Sequence, residues 1–251
     1  MCCGFLARTG NSVPLLGASV FVPIYDDNPL RSIRVPVVTI LLIATNVLVF
    51  AFQASGVRMG LTASFALVPS ELFQVNILGG PALGPNDVIP VPEGYTLLTY
   101  MFFHGDIIHL SSNMLFLWVF GDNVEDAMGH VKFLVFYILC GIAAGLTHAF
   151  IQAGSQVPLI GASGAVAGVI AAYLILHPRV RVWVLALRVI PLRITAAFAL
   201  GAWVVSQFVM LFIPDAGPIA WWAHIGGLVA GALLILLMRR PGVPLFGREP
   251  A

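Results

Sequence analysis

The sequence predicts an all-α membrane protein that is built as a bundle of six transmembrane helices. Two features of the composition predict this class: 59% of the 251 residues are hydrophobic, and only 9% are charged. Soluble domains carry about 25% charged residues, which cover their surface. A helix needs about 20 mostly apolar residues to cross a hydrocarbon core. Six stretches fit, at approximately 35–54, 108–121 with an apolar lead-in from Leu97, 132–152, 161–177, 194–213 and 219–238.

These stretches divide the chain into three segments. Residues 1–34 are expected to form a cytoplasmic N-terminal segment, 35–240 the six-helix domain, and 241–251 a cytoplasmic tail. The domain includes a long outer loop at about residues 55–107, which is rich in proline. Within that loop, residues 69–75 are predicted to form a short interfacial helix, because proline is tolerated in a first helical turn. An extended segment is expected ahead of Phe21.

The basic residues set the expected orientation, since cytoplasmic loops are enriched in Lys and Arg. With the N-terminus in the cytoplasm, 11 of the 12 basic residues lie inside and only Arg58 lies outside. Both termini are therefore predicted to be cytoplasmic, and the proline-rich loop is predicted to face outward.

Several function classes are excluded by the same composition. A net charge of +1 without a basic stripe argues against nucleic-acid binding. The three cysteines have neither a disulfide pattern nor metal-ligand spacing. No His-Glu-x-x-His string is present, so a zinc peptidase is not expected. The sequence also lacks the paired intramembrane aspartates of aspartyl chemistry. We therefore expect neither a metal nor a cofactor.

Polar side chains in membrane helices are costly, which makes each one a functional candidate. His109 and Asn113 lie one turn apart on the second segment, Ser163 begins the fourth, and His224 lies one turn into the sixth. These three segments all begin at the outer face in the expected topology, so the four residues fall in one layer. A nucleophile, a base and oxyanion donors need this kind of arrangement. No acid is positioned to complete a triad, so a serine hydrolase here would use a dyad.

Small residues predict that the fourth and sixth segments pack closely, because small-xxx-small stripes let membrane helices approach. Gly227 and Gly231 are the structural residues singled out on the sixth segment. The two stripes consist of Gly164, Gly168 and Ala172, and of Ala223, Gly227 and Gly231.

Other polar residues have simpler interpretations. His109 and Asn113 could be a hydrogen-bonded clasp between helices. Gln207 is interpreted as an interhelical hydrogen bond and His104 as a loop anchor. Glu125, in the expected cytoplasmic link 121–130, is interpreted as a cap for helix ends.

In combination, these motifs resemble the rhomboid family of intramembrane serine proteases over roughly residues 20–240. The Gly-x-Ser-Gly string alone would be weak, but its combination with Ala-His-x-x-Gly and His-x₃-Asn is specific. The residues that carry the resemblance are Tyr25-Asp26-Asp27-Asn28-Pro29, Phe103-His104, His109-x₃-Asn113, Gly121-x₃-Glu125, Gly161-Ala162-Ser163-Gly164 and Ala223-His224-Ile225-Gly226-Gly227.

The resemblance implies roles for these residues. Ser163 would be the nucleophile and His224 the general base. His109, Asn113 and the Ser163 N–H would be oxyanion donors, His104 would help hold the first loop, and Glu125 would stabilise the cytoplasmic link. Two departures stand out: Ala167 replaces a tyrosine that is often found four residues after the nucleophile, and Tyr95 lies where many members have a Trp-Arg pair.

The implied activity is cleavage of transmembrane segments of other membrane proteins near the outer membrane face, without a cofactor. The partners would be transmembrane substrates and lipid, not nucleic acid, and the expected location is a bacterial inner membrane. Two alternatives stay open. A non-catalytic rhomboid-like chaperone would bind client helices. A proton- or ion-coupled transporter could use the same histidines, although the chain lacks internal repeats and intramembrane carboxylates.

Overall fold

The structure, a computed structural model, describes residues 21–55, 59–74, 87–89, 91–186, 189–213 and 219–247. This part of the chain is mostly helical. Its helices are α1 (Val37–Ala54), α2 (Met59–Phe65), α3 (Pro69–Gln74), α4 (Glu93–Thr99), α5 (Ile107–Met128), α6 (His130–Ile151), α7 (Ser163–Leu176), α8 (Ala196–Met210) and α9 (Trp221–Met238), with a 3-10 turn at Tyr100–Phe102. Its strands are β1 (Phe21–Asp26), β2 (Arg181–Ala186) and β3 (Ile190–Thr195).

Each of the six predicted segments contains one long helix, but the helices differ in how well they suit a membrane. By length and composition, α1, α6 and α9 could each cross a bilayer. The apolar helices α7 and α8 are shorter, with 14 and 15 residues. Helix α5 has 22 residues, and its last two turns carry Asp122, Glu125 and Asp126. The structure therefore supports a helical membrane fold with three candidate spans in its described residues.

The predicted helical membrane fold is confirmed as mostly helical, but it is not purely α, because β1, β2 and β3 form an antiparallel sheet in that order. In β2, Val182, Val184 and Ala186 are buried and alternate with more exposed residues, which is the period of a strand with one buried face. This stretch lies between the predicted helices at 161–177 and 194–213, so no strand was expected there. Its partner β1 lies more than 150 residues earlier, directly after the stretch ahead of Phe21 that was expected to be extended.

The expected cytoplasmic link at 121–130 is also corrected, since α5 continues as a helix to Met128. The chain turns at Gly129, whose φ of +86° favours glycine, and α6 begins at His130. The predicted interfacial helix at 69–75 corresponds to α3, except that Val75 lies outside the described residues, as do residues 1–20 of the N-terminal segment.

Glu125 joins this turn to the start of α1. Its fully buried carboxylate accepts hydrogen bonds from the N–H groups of Val38 (3.0 Å) and Thr39 (2.8 Å) and from the Thr39 hydroxyl (2.7 Å). The first N–H groups of a helix have no partner within it, and Pro36 provides no side-chain cap. Glu125 thus satisfies the first turn of α1 from a neighbouring helix.

Helix α7 lies at the centre of the fold. Ten consecutive residues from Gly164 to Tyr173 are buried, because α5, α6 and α9 all pack against this helix. A helix that is apolar all round is suited to such a position. Since Ser163 is the first residue of α7, the core of the bundle fixes the position of that serine.

Candidate active site

Ser163 and His224 lie together at the starts of two neighbouring helices. Ser163 is the first residue of α7, and His224 lies in the first turn of α9. The His224 Nε2 atom is 2.9 Å from the Ser163 Oγ atom, which is hydrogen-bonding distance. The imidazole is buried, and the serine is half-buried. A hydroxyl paired with an imidazole in this way has the geometry of a nucleophile and its base.

Backbone contacts between α7 and α9 set this distance. A Cβ atom added at Gly227 would overlap the carbonyl oxygen of Gly164, and one added at Gly231 would overlap Gly168. The two small-residue stripes therefore face each other without side chains between them. Gly164 directly follows Ser163, and Gly227 lies one turn beyond His224, so this contact lies beside the pair.

Gln207, on α8, contacts the other nitrogen of the imidazole. Its Oε1 atom is 2.6 Å from His224 Nδ1, and its side chain is buried. Its Nε2 group donates to the Trp203 carbonyl oxygen (3.1 Å) and to the Ser206 hydroxyl (3.0 Å). Because these acceptors fix the NH₂ group of the amide, Oε1 faces the imidazole. Nδ1 is then the donor, which leaves Nε2 as an acceptor facing Ser163.

Two tryptophans pack against the His224 ring. The ring centroids of Trp203 and Trp221 each lie 5.9 Å from the imidazole centroid, at interplanar angles of 35° and 90°. Ala167, where a tyrosine is common in the resembling family, is buried and provides no ring. The packing around His224 therefore comes from α8 and α9.

His109 and Asn113 lie on α5, and His109 contacts the turn two residues ahead of Ser163. The His109 ring lies against Gly161: a Cβ added at Gly161 would be 2.7 Å from His109 Nε2. Gly161 has φ +121°, so this close approach and the backbone conformation both require glycine. The Asn113 amide donates to the His109 carbonyl oxygen at 2.9 Å. An amide has two N–H groups, and only one is used in this bond; the Asn113 residue is 5% exposed.

His104 joins the loop ahead of α5 to the start of α7. Its ring is buried, and its Nε2 atom accepts a hydrogen bond from the Ala162 N–H at 3.4 Å. The backbone N–H and carbonyl of His104 both contact the Gln53 side chain, at 3.3 and 3.4 Å. This residue therefore contacts the turn that precedes Ser163 and the end of α1.

Three residues of the site were not predicted to belong to it: Gln207, Trp203 and Trp221. Gln207 was expected to form an interhelical hydrogen bond, but its partner could not be named. The available signal was the polar residue itself, since a glutamine in an apolar helix indicates a partner on another helix. The apolar sequence around the two tryptophans does not indicate that they contact His224.

The packed apolar helices and the Ser163–His224 pair at the starts of α7 and α9 define the class of this protein. It is a helical membrane protein with a serine–histidine pair. A sequence model of the family described as "Rhomboid domain" matches residues 91–241, which is more than half of the chain. The chain therefore belongs to the rhomboid family.

Relatives in eukaryotes are similar to part of the chain. RHOMBOID-like protein 12, mitochondrial, of Arabidopsis thaliana is 29% identical over 163 residues, covering 58% of this chain and 47% of that protein. RHOMBOID-like protein 5 of the same plant is 28% identical over 65% of this chain and 53% of its own length. The human presenilin-associated rhomboid-like protein, mitochondrial, is 29% identical over 54% of this chain and 35% of its own length. The chain thus spans about half the length, or less, of these relatives.

Proposed function

We propose that this chain is an intramembrane serine endopeptidase that cleaves transmembrane segments of other membrane proteins. The observation that carries the proposal is the 2.9 Å contact between Ser163 Oγ and His224 Nε2, with Gln207 bonded to the opposite ring nitrogen. Family membership supports the same class of activity. The proposal includes six membrane spans, formed by α1 and α5 to α9, with both termini in the cytoplasm.

In the first step, Ser163 Oγ attacks the carbonyl carbon of the scissile bond, and its proton moves to His224 Nε2. The carbon–nitrogen bond of the resulting intermediate then breaks, and His224 returns the proton to the leaving amine. Water then attacks the acyl carbon while His224 Nε2 accepts a proton from it. The carbon–oxygen bond to Ser163 breaks, and His224 returns the proton to Ser163 Oγ. Gln207 accepts a hydrogen bond from Nδ1 throughout, so it supports the ring tautomer that the first step needs.

Negative charge on the substrate oxygen would be stabilised at the start of α7. The Ser163 N–H lies at the positive end of that helix. The His109 imidazole beside Gly161 and the second N–H of Asn113 would be further donors. The role of His109 and Asn113 is part of this proposal, because an oxyanion donor is identified by its contact with the bound oxyanion.

The location of the protein follows only in part. Apolar helices support an integral membrane protein. Two of the three relatives named above carry mitochondrial names, and none of the three gives the expected bacterial inner membrane support. The compartment thus stays a prediction. Substrates would be membrane proteins, reached through lipid.

The test is labelling of the folded protein with a fluorophosphonate, followed by cleavage of a transmembrane reporter. We expect the label on Ser163 and loss of both labelling and cleavage in His224→Ala. A chaperone would keep its client binding in Ser163→Ala, with no cleavage by the native chain. A transporter would move its cargo in that variant. Either result would contradict the protease assignment.

A further inference from the structure

The antiparallel sheet lies where two apolar helices have their ends. Strand β2 follows α7 after a short link, and β3 runs directly into α8. The Ala196 N–H, at the start of α8, donates to the Val180 carbonyl oxygen ahead of β2 at 2.8 Å. In the proposed topology, α7 and α8 cross the membrane and both have their cytoplasmic ends here. The sheet therefore begins at the cytoplasmic surface of the bilayer.

One face of the sheet packs against the helices, and the rest of it exposes apolar side chains. Val182 and Val184 are buried in the main apolar core. On the opposite face and beside the hairpin turn, the large apolar side chains are instead 38–73% exposed: Ile24, Tyr25, Trp183, Val189, Ile190 and Leu192. All six lie outside the predicted membrane helices. An exposed apolar surface of this kind marks a site of contact with a protein or a membrane.

The side chains of the outer face indicate which of these partners covers it. Tyr25, Trp183 and Arg193 are paired in register across β1, β2 and β3, so they form one row. Tyrosine and tryptophan are enriched at the boundary between lipid and water, where their rings lie at the level of the headgroups. The row therefore has the composition of a membrane-interface surface.

The charge of this region fits anionic lipid. Residues 177–195 contain four arginines and no acidic residue. Arg179 and Arg181 are exposed. Asp27, which follows β1, pairs with Arg193, so this acid does not cancel their charge. Anionic lipids of the cytoplasmic leaflet attract basic residues that lie close to the membrane, and each such residue strengthens binding about fivefold.

The sheet is also continuous with the side of the bundle that faces lipid in the proposed topology. Phe198 lies in the first turn of α8 and is 61% exposed. Its ring centroid lies 5.8 Å from that of Phe21, the first residue of β1. Because exposed apolar side chains on a membrane span face lipid, β1 adjoins lipid at this edge. This position favours lipid over a soluble protein as the partner.

We propose that the outer face of the sheet binds anionic phospholipids in the cytoplasmic leaflet. The arginines contact the headgroup phosphates, whereas Trp183 and the apolar residues of the hairpin lie at the boundary with the acyl chains. This surface rests on the proposed membrane spans but not on the chemistry of Ser163. It also acts on α7, because Asp26 of β1 accepts a hydrogen bond from the Tyr173 hydroxyl in the last turn of that helix at 2.5 Å. Lipid bound to the sheet therefore holds the cytoplasmic end of the central helix.

Photocrosslinking of the full chain identifies the partner directly. A benzophenone amino acid replaces Ile190, which is exposed beside the hairpin turn. The purified chain is reconstituted in vesicles of equal parts phosphatidylglycerol and phosphatidylcholine and irradiated, and its adducts are identified by mass spectrometry. Two control positions carry the same label: Val205, an exposed residue within α8, and Gln156, an exposed polar residue ahead of α7.

We expect lipid adducts at Ile190 and Val205 but not at Gln156. The ratio of anionic to neutral adducts should exceed that of the vesicles at Ile190 and equal it at Val205. Arg181→Gln should lower the ratio at Ile190 by up to about fivefold, which is the contribution of one basic residue near the membrane. Arg181→Lys keeps the charge and should keep the ratio. Arg181 is exposed, so both variants should fold with the melting temperature of the native chain.

Several results would overturn the proposal, and they can be told apart. Lipid adducts at Val205 without lipid adducts at Ile190 would refute the lipid surface and leave the proposed spans intact. Crosslinked dimers at Ile190 in place of lipid adducts would show that this face binds a second copy of the chain. A ratio at Ile190 equal to that at Val205 would refute the preference for anionic lipid. An absence of lipid adducts at Val205 would contradict the proposed span α8 and the lipid surface together.

Discussion

Replacement of Gln207 by methionine tests whether the buried amide positions the His224 imidazole. Methionine is unbranched and similar in length, so it fills much of the same space while it removes the Oε1 acceptor. The Nδ1–H group would then lose the partner that lies 2.6 Å away in the structure. The imidazole would keep a buried unpaired N–H, or it would move the proton to Nε2 and lose the acceptor that faces Ser163.

The expected loss follows from the cost of that unpaired group. A buried donor without a partner costs about 1–3 kcal/mol. The cost should be larger in the transition state than in the resting enzyme, because the ring is then positively charged and a charged donor bonds more strongly. Only this difference lowers kcat. Bonds to charged groups contribute about 1.5–3 kcal/mol and bonds between neutral groups about 0.5–1.5 kcal/mol, so the difference is about 1–1.5 kcal/mol. At about 1.36 kcal/mol per factor of ten, kcat should fall roughly 5- to 13-fold. KM should change little, because Gln207 lies behind the imidazole and is 2% exposed.

The assay is steady-state cleavage of a transmembrane reporter by folded protein in detergent, with fluorophosphonate labelling of Ser163 as a second rate. Both rates should fall together in Gln207→Met. Ser206→Ala is the matched control, because it removes one acceptor of the Gln207 amide and leaves the Trp203 carbonyl at 3.1 Å. Its kcat should stay close to that of the native chain.

Two results would refute this reasoning. If Gln207→Met lowered the melting temperature but left kcat per folded molecule unchanged, the amide would only join α8 to α9. If ¹⁵N spectra of the native chain located the His224 proton on Nε2, the tautomer argument would fail whatever the kinetics.

The remaining predictions concern the dyad, the helix contact, the oxyanion donors, the topology and a buried acid. Ser163→Ala and His224→Ala should each abolish cleavage, and the double variant should be no worse, because the residues act as a unit; residual cleavage in Ser163→Ala would contradict this. Gly231→Ala should lower the melting temperature and the activity, because the added methyl group would overlap Gly168 at a cost of about 1–3 kcal/mol in unfolding free energy. The control is Gly201→Ala on α8, whose added methyl group meets no atom within 4 Å and should be neutral or stabilising. Asn113→Ala should lower kcat with little change in KM; a lower melting temperature at unchanged kcat would instead indicate a clasp between helices. A reporter after Arg240 should read cytoplasmic and one near Gly79 external, and the opposite result would invalidate the expected orientation. Burial raises the pKa of Asp26 to about 7, against the hydrogen bond from Tyr173 and with added repulsion from Asp122 and Asp27. The folded state therefore keeps a proton on Asp26 that the unfolded state loses above about pH 4. The free energy of unfolding should then fall by up to about 1.4 kcal/mol per pH unit between about pH 4 and 7. In pH-dependent thermal unfolding, Asp26→Asn should remove this part of the slope.

The sequence predicted the long helices well, because an apolar run and its ends are local features. The ends of α1, α6 and α9 lie within about two residues of the predicted limits. The end of α5 was missed because Asp122, Glu125 and Asp126 resemble a polar link. They remain helical because Glu125 and Asp126 bond to backbone N–H groups about 90 residues earlier in the chain. The sheet was missed for a similar reason, since β1 pairs with a strand far along the sequence.

The candidate site shows the same difference between local features, which the sequence predicts, and contacts between distant residues, which it does not. Ser163 and His224 could be singled out because each is polar within an apolar, glycine-containing stretch. The bond from Gln207 to His224 depends on how α8 is rotated about its axis, which the pattern of this nearly uniformly apolar helix does not determine.

The contact between α7 and α9 connects packing to chemistry. A bond between two side chains is usually held by side-chain packing, which has some freedom of rotation. Here the helices meet backbone to backbone at Gly227 and Gly164, immediately beside the paired side chains. The separation of the helices therefore cannot decrease, and any added methyl group increases it. A hydrogen bond of 2.9 Å is lost within about 0.6 Å of added separation, since contacts beyond about 3.5 Å no longer qualify. The same glycines thus set the distance between the proposed nucleophile and its proposed base, so the helix contact and the proposed activity should be lost together.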